Sequence, residues 1–385
     1  MGRSEREDDV ASLSFEFDRG PEGRAVRFAR PSALIRAESL EDIGPAFEAI
    51  ARARAAGKWL AGMLSYELGY AFSAKLAPLM PENRDVPLML FGVYDAPEAP
   101  LPEAAPAAAV PQFSPTVSQA EYLQAFARVQ DYIAAGDVYQ INLTFPLQAR
   151  WDGDARALYA RLKAAQPVGH GVLVEAEDFA VLSRSPELFF AIDAAGRATV
   201  RPMKGTVARG ATPAADAQAV DWLRGSEKNR AENLMIVDLL RNDLSRISEI
   251  GSVRVPALYD IETYATVHQM TSTVTAQIRQ GVDFEAICQA LFPCGSITGA
   301  PKIRAMQIIR DLEPRQRGVY CGSIGWLAPA GGMAFNVAIR SLTLRSGVAV
   351  LNVGGGVVHD SEGGTEWAEA LSKAAFVTAP PPMCG

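Results

Sequence analysis

Three consecutive glycines, Gly354, Gly355 and Gly356, stand inside the strand-like run GVAVLNVGGGVV. Glycine weakens a strand, so this run predicts either a β-bulge or a bare stretch of backbone that a ligand approaches closely. Other segments also read as strands: KWLAGMLSYELG, VYQINLTFPLQAR, FAVLSRSPELFFAID, GRATVRPMKGTVA and MAFNVAIRSLTLR. A tight turn at Asp193 to Gly196 separates the third of these from the fourth. VYQINLTFPLQAR alternates as a half-buried strand would.

Helical patterns lie between the strands. LEDIGPAFEAIARARAAG is one, and VSQAEYLQAFARVQDYIAAGD is another, with Ser118 as N-cap and a stop near Gly136. PKIRAMQIIRDLE carries Pro301 in its first turn, and TEWAEALSKAAF closes the series. The clearest helix is 226–247, with Leu234, Val237, Leu244 and Ile247 on one face. This order predicts an α+β fold, antiparallel sheets flanked by helices. Residues 95–116, DAPEAPLPEAAPAAAVPQFSPT, are rich in proline and alanine and read as a connection between an N-terminal region, 1–94, and a core, 117–380.

Composition narrows the function classes. With 49% hydrophobic and 21% charged residues the chain of 385 can bury a sizeable core, and its net charge of −7 offers no basic footprint for nucleic acid. Cys288, Cys294, Cys321 and Cys384 form no metal-binding series, as expected of a reduced cytoplasmic protein. No apolar run is long enough to predict a membrane span, and MGRSEREDDVASLSFEFD lacks the apolar core of a signal peptide.

At 100° per residue, Glu366, Glu369 and Lys373 fall within about 60° of one another on the last helix, with Trp367, Leu371 and Ala375 opposite. Two carboxylates in one stripe suit a hard cation such as Mg²⁺, and they equally suit a solvated face with an (i, i+4) ion pair. Glu232 is either a third ligand or an acidic residue favoured by its helix dipole. CGSITGAPK, with Ser296, is a loop into a helix that could offer N–H groups to an anion, although the P-loop spacing is missing. Lys204 in RPMKGT is a nucleophile only where burial or neighbouring charge lowers its pKa, and otherwise a surface lysine. Glu187 in SPELFF becomes a general acid only if its surroundings raise its pKa. His268 is a core histidine or a site donor. Arg340, in a strand of apolar neighbours, needs an anionic partner.

The ordered motifs SPELFF, RPMKGT, AENLMIVDLLRNDLSRI, YATVHQMTSTV, GSITGAPKIRAMQII, GVYCGSIGW, FNVAIRS and GGGVVHDSEGGTEWAEALSKA, from about residue 118 to 376, resemble the chorismate-utilising enzymes. That family includes the component I subunits of anthranilate and aminodeoxychorismate synthases, and the isochorismate and salicylate synthases. The resemblance implies an anthranilate synthase component I-like fold with large antiparallel sheets packed in a sandwich. It implies Mg²⁺ held by Glu232, Glu366 and Glu369, and a substrate carboxylate held by Tyr320, Arg340, Lys373 and the glycines Gly354, Gly355 and Gly356. It also implies His268 near the ring and Ser296 lining the pocket.

Within the family, a lysine at Lys204 is similar to the members that aminate chorismate at C4. Gln140 stands where isochorismate-forming members place a water-activating lysine, and its amide cannot act as that base. Met203 for isoleucine and Cys294 for glycine depart from the usual pattern. The implied reaction is a transaminase-class amination on the way to 4-aminobenzoate and folate. Lys204 adds to C2, Glu187 protonates the leaving hydroxyl, and ammonia arrives from a separate glutamine amidotransferase subunit. Anthranilate formation and a non-catalytic carboxylate-binding relative are the alternatives.

Overall fold

A computed structural model describes residues 12–264 and 267–378. Cys384, at the C-terminus, lies outside the described residues. Two antiparallel sheets dominate. The first has nine strands, running from Gly299–Ala300 through Gln140–Arg150, Val348–Val357, Ser341–Arg345, Ala180–Ser185, His170–Glu175 and Ser14–Phe17 to Val26–Phe28, with Ser114–Pro115 beside Gln140–Arg150. The second has ten. It runs from Met203–Ala208 through Val267–Gln277, Arg197–Val200, Leu188–Ile192, Met333–Asn336, Ser323–Leu327, Trp59–Leu64 and Met89–Tyr94 to Ala33–Ala37, with Arg254–Thr263 on the other side of Val267–Gln277. Segments on both sides of the proline-rich connection therefore share the same two sheets. That connection is largely irregular, and Glu98 bridges back to Arg27.

Alternation along the strands builds the layers. Phe15, Phe28, Val172, Val174 and Val181 of the first sheet pack with Ala61, Met63, Leu90, Tyr94 and Ile324 of the second. The outer face of the first sheet is covered by helices Gln119–Ala134, Ala155–Ala165, Lys302–Leu312 and Gly363–Ser372. The outer face of the second is covered by Leu40–Ala55, Glu227–Ser245 and Phe284–Leu291. The α+β sandwich flanked by helices is thus present, and each fully buried Leu, Ile or Phe contributes about 1.5–3 kcal/mol. None of the described helices is long and apolar enough to cross a membrane.

Several expectations need correction. FAVLSRSPELFFAID is two strands in different sheets, Ala180–Ser185 and Leu188–Ile192, because the chain crosses between sheets at Pro186. MAFNVAIRSLTLR divides likewise, and Arg340 sits outside any strand, at φ 50°, in the crossover before Ser341. The two crossovers run side by side: Val337 N donates to Glu187 O at 3.1 Å and Arg184 N to Arg340 O at 3.0 Å. Gln140–Arg150 is buried along nearly its whole length, because it has neighbours on both edges and helices above. Leu234 is exposed; the buried face of its helix carries Ile236, Val237, Leu240 and Leu244. The glycine strand has no bulge, since its register with Gln140–Arg150 is unbroken from Val348 to Val357.

Candidate active site

The unbroken ladder leaves close approach as the reason for the glycines. A Cβ on Gly356 would stand 3.0 Å from both Gln140 Nε2 and Lys204 Nζ. One on Gly355 would stand 3.2 Å from Glu366 Oε2, 3.3 Å from Lys373 Nζ and 3.8 Å from Glu369 Oε1. The bare backbone is therefore a floor on which side chains from both sheets and the last helix converge. Trp367 fixes that helix by stacking on Phe145 at 4.5 Å, which turns Glu366 and Glu369 towards the floor.

Lys204 enters from the edge strand of the second sheet. Its side chain is half-buried, yet its ammonium lies deep, and burial pulls its pKa below the ordinary lysine value. The charge of Glu232 opposes that shift, Lys373 reinforces it, and Glu187 and Glu369 oppose it. Glu187 is buried in the crossover, where Ser296 Oγ donates to its Oε1 at 2.9 Å. Burial pushes the Glu187 carboxyl up to about 7, against the Ser296 hydrogen bond and the Lys204 charge. A carboxyl that holds its proton near neutrality beside a lysine that sheds one more easily has the chemistry to work as an acid and a nucleophile.

Gln140 is fully buried, and neither its Nε2 nor its Oε1 finds a hydrogen-bond partner among the described residues. Lys373 Nζ donates to Gly354 O at 2.8 Å and pairs with Glu369 Oε1 at 2.9 Å. Glu366 accepts from Ser361 Oγ at 2.7 Å, and burial raises its pKa. Burial would also raise Glu369, but Lys373 outweighs it and holds that carboxyl low. No hydrogen bond or ion pair engages the Arg340 guanidinium among the described residues; burial lowers its pKa, and Tyr264 and Glu187 stand near enough to oppose the shift.

Two expected site residues have other contacts. Both ring nitrogens of His268 are engaged, Nε2 with Asp216 Oδ1 at 2.8 Å and Nδ1 with Thr263 Oγ1 at 2.9 Å. The Arg209 guanidinium holds Asp216 well below the usual carboxylate range. Tyr320 is buried in the larger core, and burial drives its hydroxyl pKa well up. Its neighbour Cys321 lies closer to the site, its N donating to Ala338 O at 2.9 Å, two residues before Arg340.

For Mg²⁺ the donor chemistry fits better than the spacing. Glu366 and Glu369 present hard oxygens to the floor at Gly355, with Glu232 close enough to act on Lys204. Among the described residues, no three His, Cys, Asp or Glu side chains are near enough to share an ion.

One buried network was not apparent from motifs. Arg317 donates to Glu313 Oε2 and Oε1 at 2.9 and 2.6 Å, to Ile297 O at 2.8 Å and to Asn142 O at 2.6 Å. Glu67 accepts from Arg317 N and Gly318 N, and burial pushes it up to about 7. The i, i+4 spacing in EPRQRG was the available signal for the Glu313–Arg317 pair.

A model of chorismate binding enzymes matches residues 95–379. The chain is 38% identical to aminodeoxychorismate synthase component 1 of Klebsiella aerogenes, over 81% of this chain and 74% of that protein. It is 42% identical to the protein of that name in Salmonella typhimurium, over 67% of this chain but only 56% of the relative's length. Among solved structures, anthranilate synthase component I from Streptococcus pneumoniae superposes with a TM-score of 0.76 at 24% identity, covering 98% of this chain and 95% of its own. The menaquinone-specific isochorismate synthase from Escherichia coli gives 0.74 at 18% identity, covering 97% and 91%. With the family match spanning most of its length and close relatives among the aminodeoxychorismate synthases, the chain belongs to the chorismate binding enzymes.

Proposed function

We propose that the chain aminates chorismate at C4 with ammonia to give 4-amino-4-deoxychorismate, as the names of its similar relatives suggest. The observation that carries the reading is the buried Lys204 ammonium beside a Glu187 carboxyl raised to about 7. In this mechanism neutral Lys204 Nζ bonds to C2, the ring double bond shifts, and the C4 hydroxyl leaves as water with the Glu187 proton. Ammonia then bonds to C4, the double bond returns, and the C2–N bond breaks with its electrons going back to Lys204. The new ammonium releases a proton that restores Glu187. One difficult substitution becomes two easier ones.

Arg340, which no anion pairs with among the described residues, suits a substrate carboxylate, and Lys373 and the Gly355 backbone suit the same role. Gln140 stands beside the Lys204 amine without a base to offer, which supports ammonia over water as the incoming group. Glu366 and Glu369 would hold Mg²⁺, with Glu232 joining them only if it moves nearer than it stands here, and the ion would neutralise substrate carboxylate charge. His268 serves the ring only if Asp216 releases Nε2. Ammonia from a separate glutamine amidotransferase subunit, and a place in 4-aminobenzoate and folate formation, complete the reading. A cytoplasmic setting is supported by the buried free thiols of Cys288, Cys294 and Cys321, the cysteines among the described residues.

The test is mass analysis of products from chorismate, Mg²⁺ and an ammonium salt. We expect 4-amino-4-deoxychorismate from the wild type and almost none from Lys204→Ala. Anthranilate with pyruvate would overturn the reading, and one similar relative, from Pseudomonas putida, bears the name anthranilate synthase component 1.

A further inference from the structure

The strand that carries Lys204 does not pair regularly with its neighbour. Met203 is opposite Thr271 and Thr206 opposite Gln269, so Lys204 and Gly205 together face the single residue Met270. This is a β-bulge, which bends the strand and re-aims its side chains, and it leaves backbone groups without ladder partners. Gly205 sits at φ +88°, a left-handed conformation that glycine adopts without strain. There is no room for more, since a Cβ at Gly205 would meet the Asn229 side chain at 3.0 Å.

The bulge is closed by one side chain. Gln269 Nε2 donates to Gly205 O at 2.8 Å, on the bulge itself, and Gln269 Oε1 accepts from Thr206 Oγ1 at 2.7 Å. Gln269 is nine-tenths buried, where an unmade hydrogen bond is expensive, so the amide grips the two residues that follow Lys204 from both its ends. Only a group with a donor and an acceptor on one planar fork makes both contacts at once.

We propose that Gln269 is a positioning residue: its amide locks the Lys204–Gly205 bulge and so holds the lysine amine at the attack distance from the ring. The proposal rests on the reading of Lys204 as nucleophile. Reaction by addition demands such a lock, because displacement of a nucleophile by about 1 Å is enough to lose about a hundredfold in rate.

Three variants test it, with chorismate, Mg²⁺ and an ammonium salt as the assay and intact-protein mass of the lysine adduct, formed without ammonia, as the second readout. Gln269→Leu is expected to lower kcat and the rate of adduct formation about a hundredfold with KM for chorismate unchanged. Thr206→Val keeps its shape, removes one of the two bonds and is expected to lower kcat about fivefold, with no further loss when added to Gln269→Leu. Should Gln269→Leu fail to fold, Thr206→Val alone decides: a wild-type kcat there overturns the proposal. A loss confined to KM, or kcat at the wild-type level in a folded Gln269→Leu, overturns it as well. Lys204→Ala, run in parallel, separates the two ideas. An active Lys204→Ala removes the nucleophile reading, whereas an inactive Lys204→Ala with a fully active Gln269→Leu removes the lock alone.

Discussion

Ser296 Oγ donates to Glu187 Oε1 at 2.9 Å, and Cys294 Sγ lies 3.2 Å from that same hydroxyl. A loop before one helix thus reaches a carboxyl in the crossover between the sheets. The hydrogen bond favours the ionised carboxylate and is the largest influence holding Glu187 down against burial. Ser296→Ala is therefore expected to move the Glu187 limb of the pH–rate profile further above about 7 and to lower kcat about three- to tenfold. A profile that stays put or moves to acid would show that Ser296 does not tune this group.

Glu187 also ties stability to pH. Burial raises its carboxyl from the ordinary 4.5 of an exposed glutamate to about 7 in the folded protein. Because the folded form binds the proton more tightly, its contribution is fully present below 4.5 and is lost as pH rises through about 7. Glu187→Gln removes this dependence. It should raise stability by about 3 kcal/mol at pH 8 relative to its effect at pH 4.5, while activity falls about 10²- to 10⁴-fold. Urea titrations at the two pH values check this, and an equal effect at both would refute it.

How far the sequence reached follows from the kind of interaction. Local patterns were readable: Ser118 caps its helix, the Asp193–Gly196 turn joins two paired strands, and the stripe Glu366–Glu369–Lys373 faces away from Trp367. Crossovers were not, because nothing in the spacing of SPELFF or FNVAIRS says that the chain leaves one sheet for the other. That step is what buries Glu187 and leaves Arg340 without a strand. Gln269, Asp216 and Arg317 were missed for the same reason: each acts through partners 64, 52 and 175 residues away. The glycine run was informative but ambiguous, since a bulge and a close approach leave the same trace in a sequence. Here the bulge is at Lys204 instead.

Neighbouring glycines of that run should answer differently to the same substitution. At Gly354 a Cβ would come within 2.3 Å of Leu143 O and 2.7 Å of Thr144 Cα, both backbone atoms of the paired strand. Gly354→Ala must push two central strands apart and is expected to destabilise by about 1–3 kcal/mol. At Gly355 the contacts are the flexible ends of Glu366, Lys373 and Glu369. Gly355→Ala should leave Tm nearly unchanged and raise KM for chorismate by about tenfold or more, because the added methyl fills the floor of the site. Thermal melts and initial rates on the pair check the contrast; equal losses of Tm would show that the floor is ordinary core.

Arg317 joins the walls of the site from behind. Its Nη1 holds the carbonyl of Ile297, next to Ser296, and its Nη2 holds that of Asn142, which pairs with Gly356. Glu313, its ion-pair partner, accepts from Thr144 N and Oγ1 at 2.9 Å, and Thr144 pairs with Gly354. Both side chains are almost wholly buried, so neither charge has water to fall back on. Arg317→Met strands the Glu313 carboxylate and two carbonyls, and is expected to destabilise by about 3–5 kcal/mol. Arg317→Lys keeps the charge but cannot reach both carbonyls and Glu313 from one ammonium, so it should lose less stability yet still lower kcat. The double variant Arg317→Met with Glu313→Leu removes both charges and should be less destabilised than the sum of the singles, because no unpaired ion remains. Urea denaturation of the four proteins measures this coupling. Additive losses would mean that the pair is not the joint that holds the two walls together.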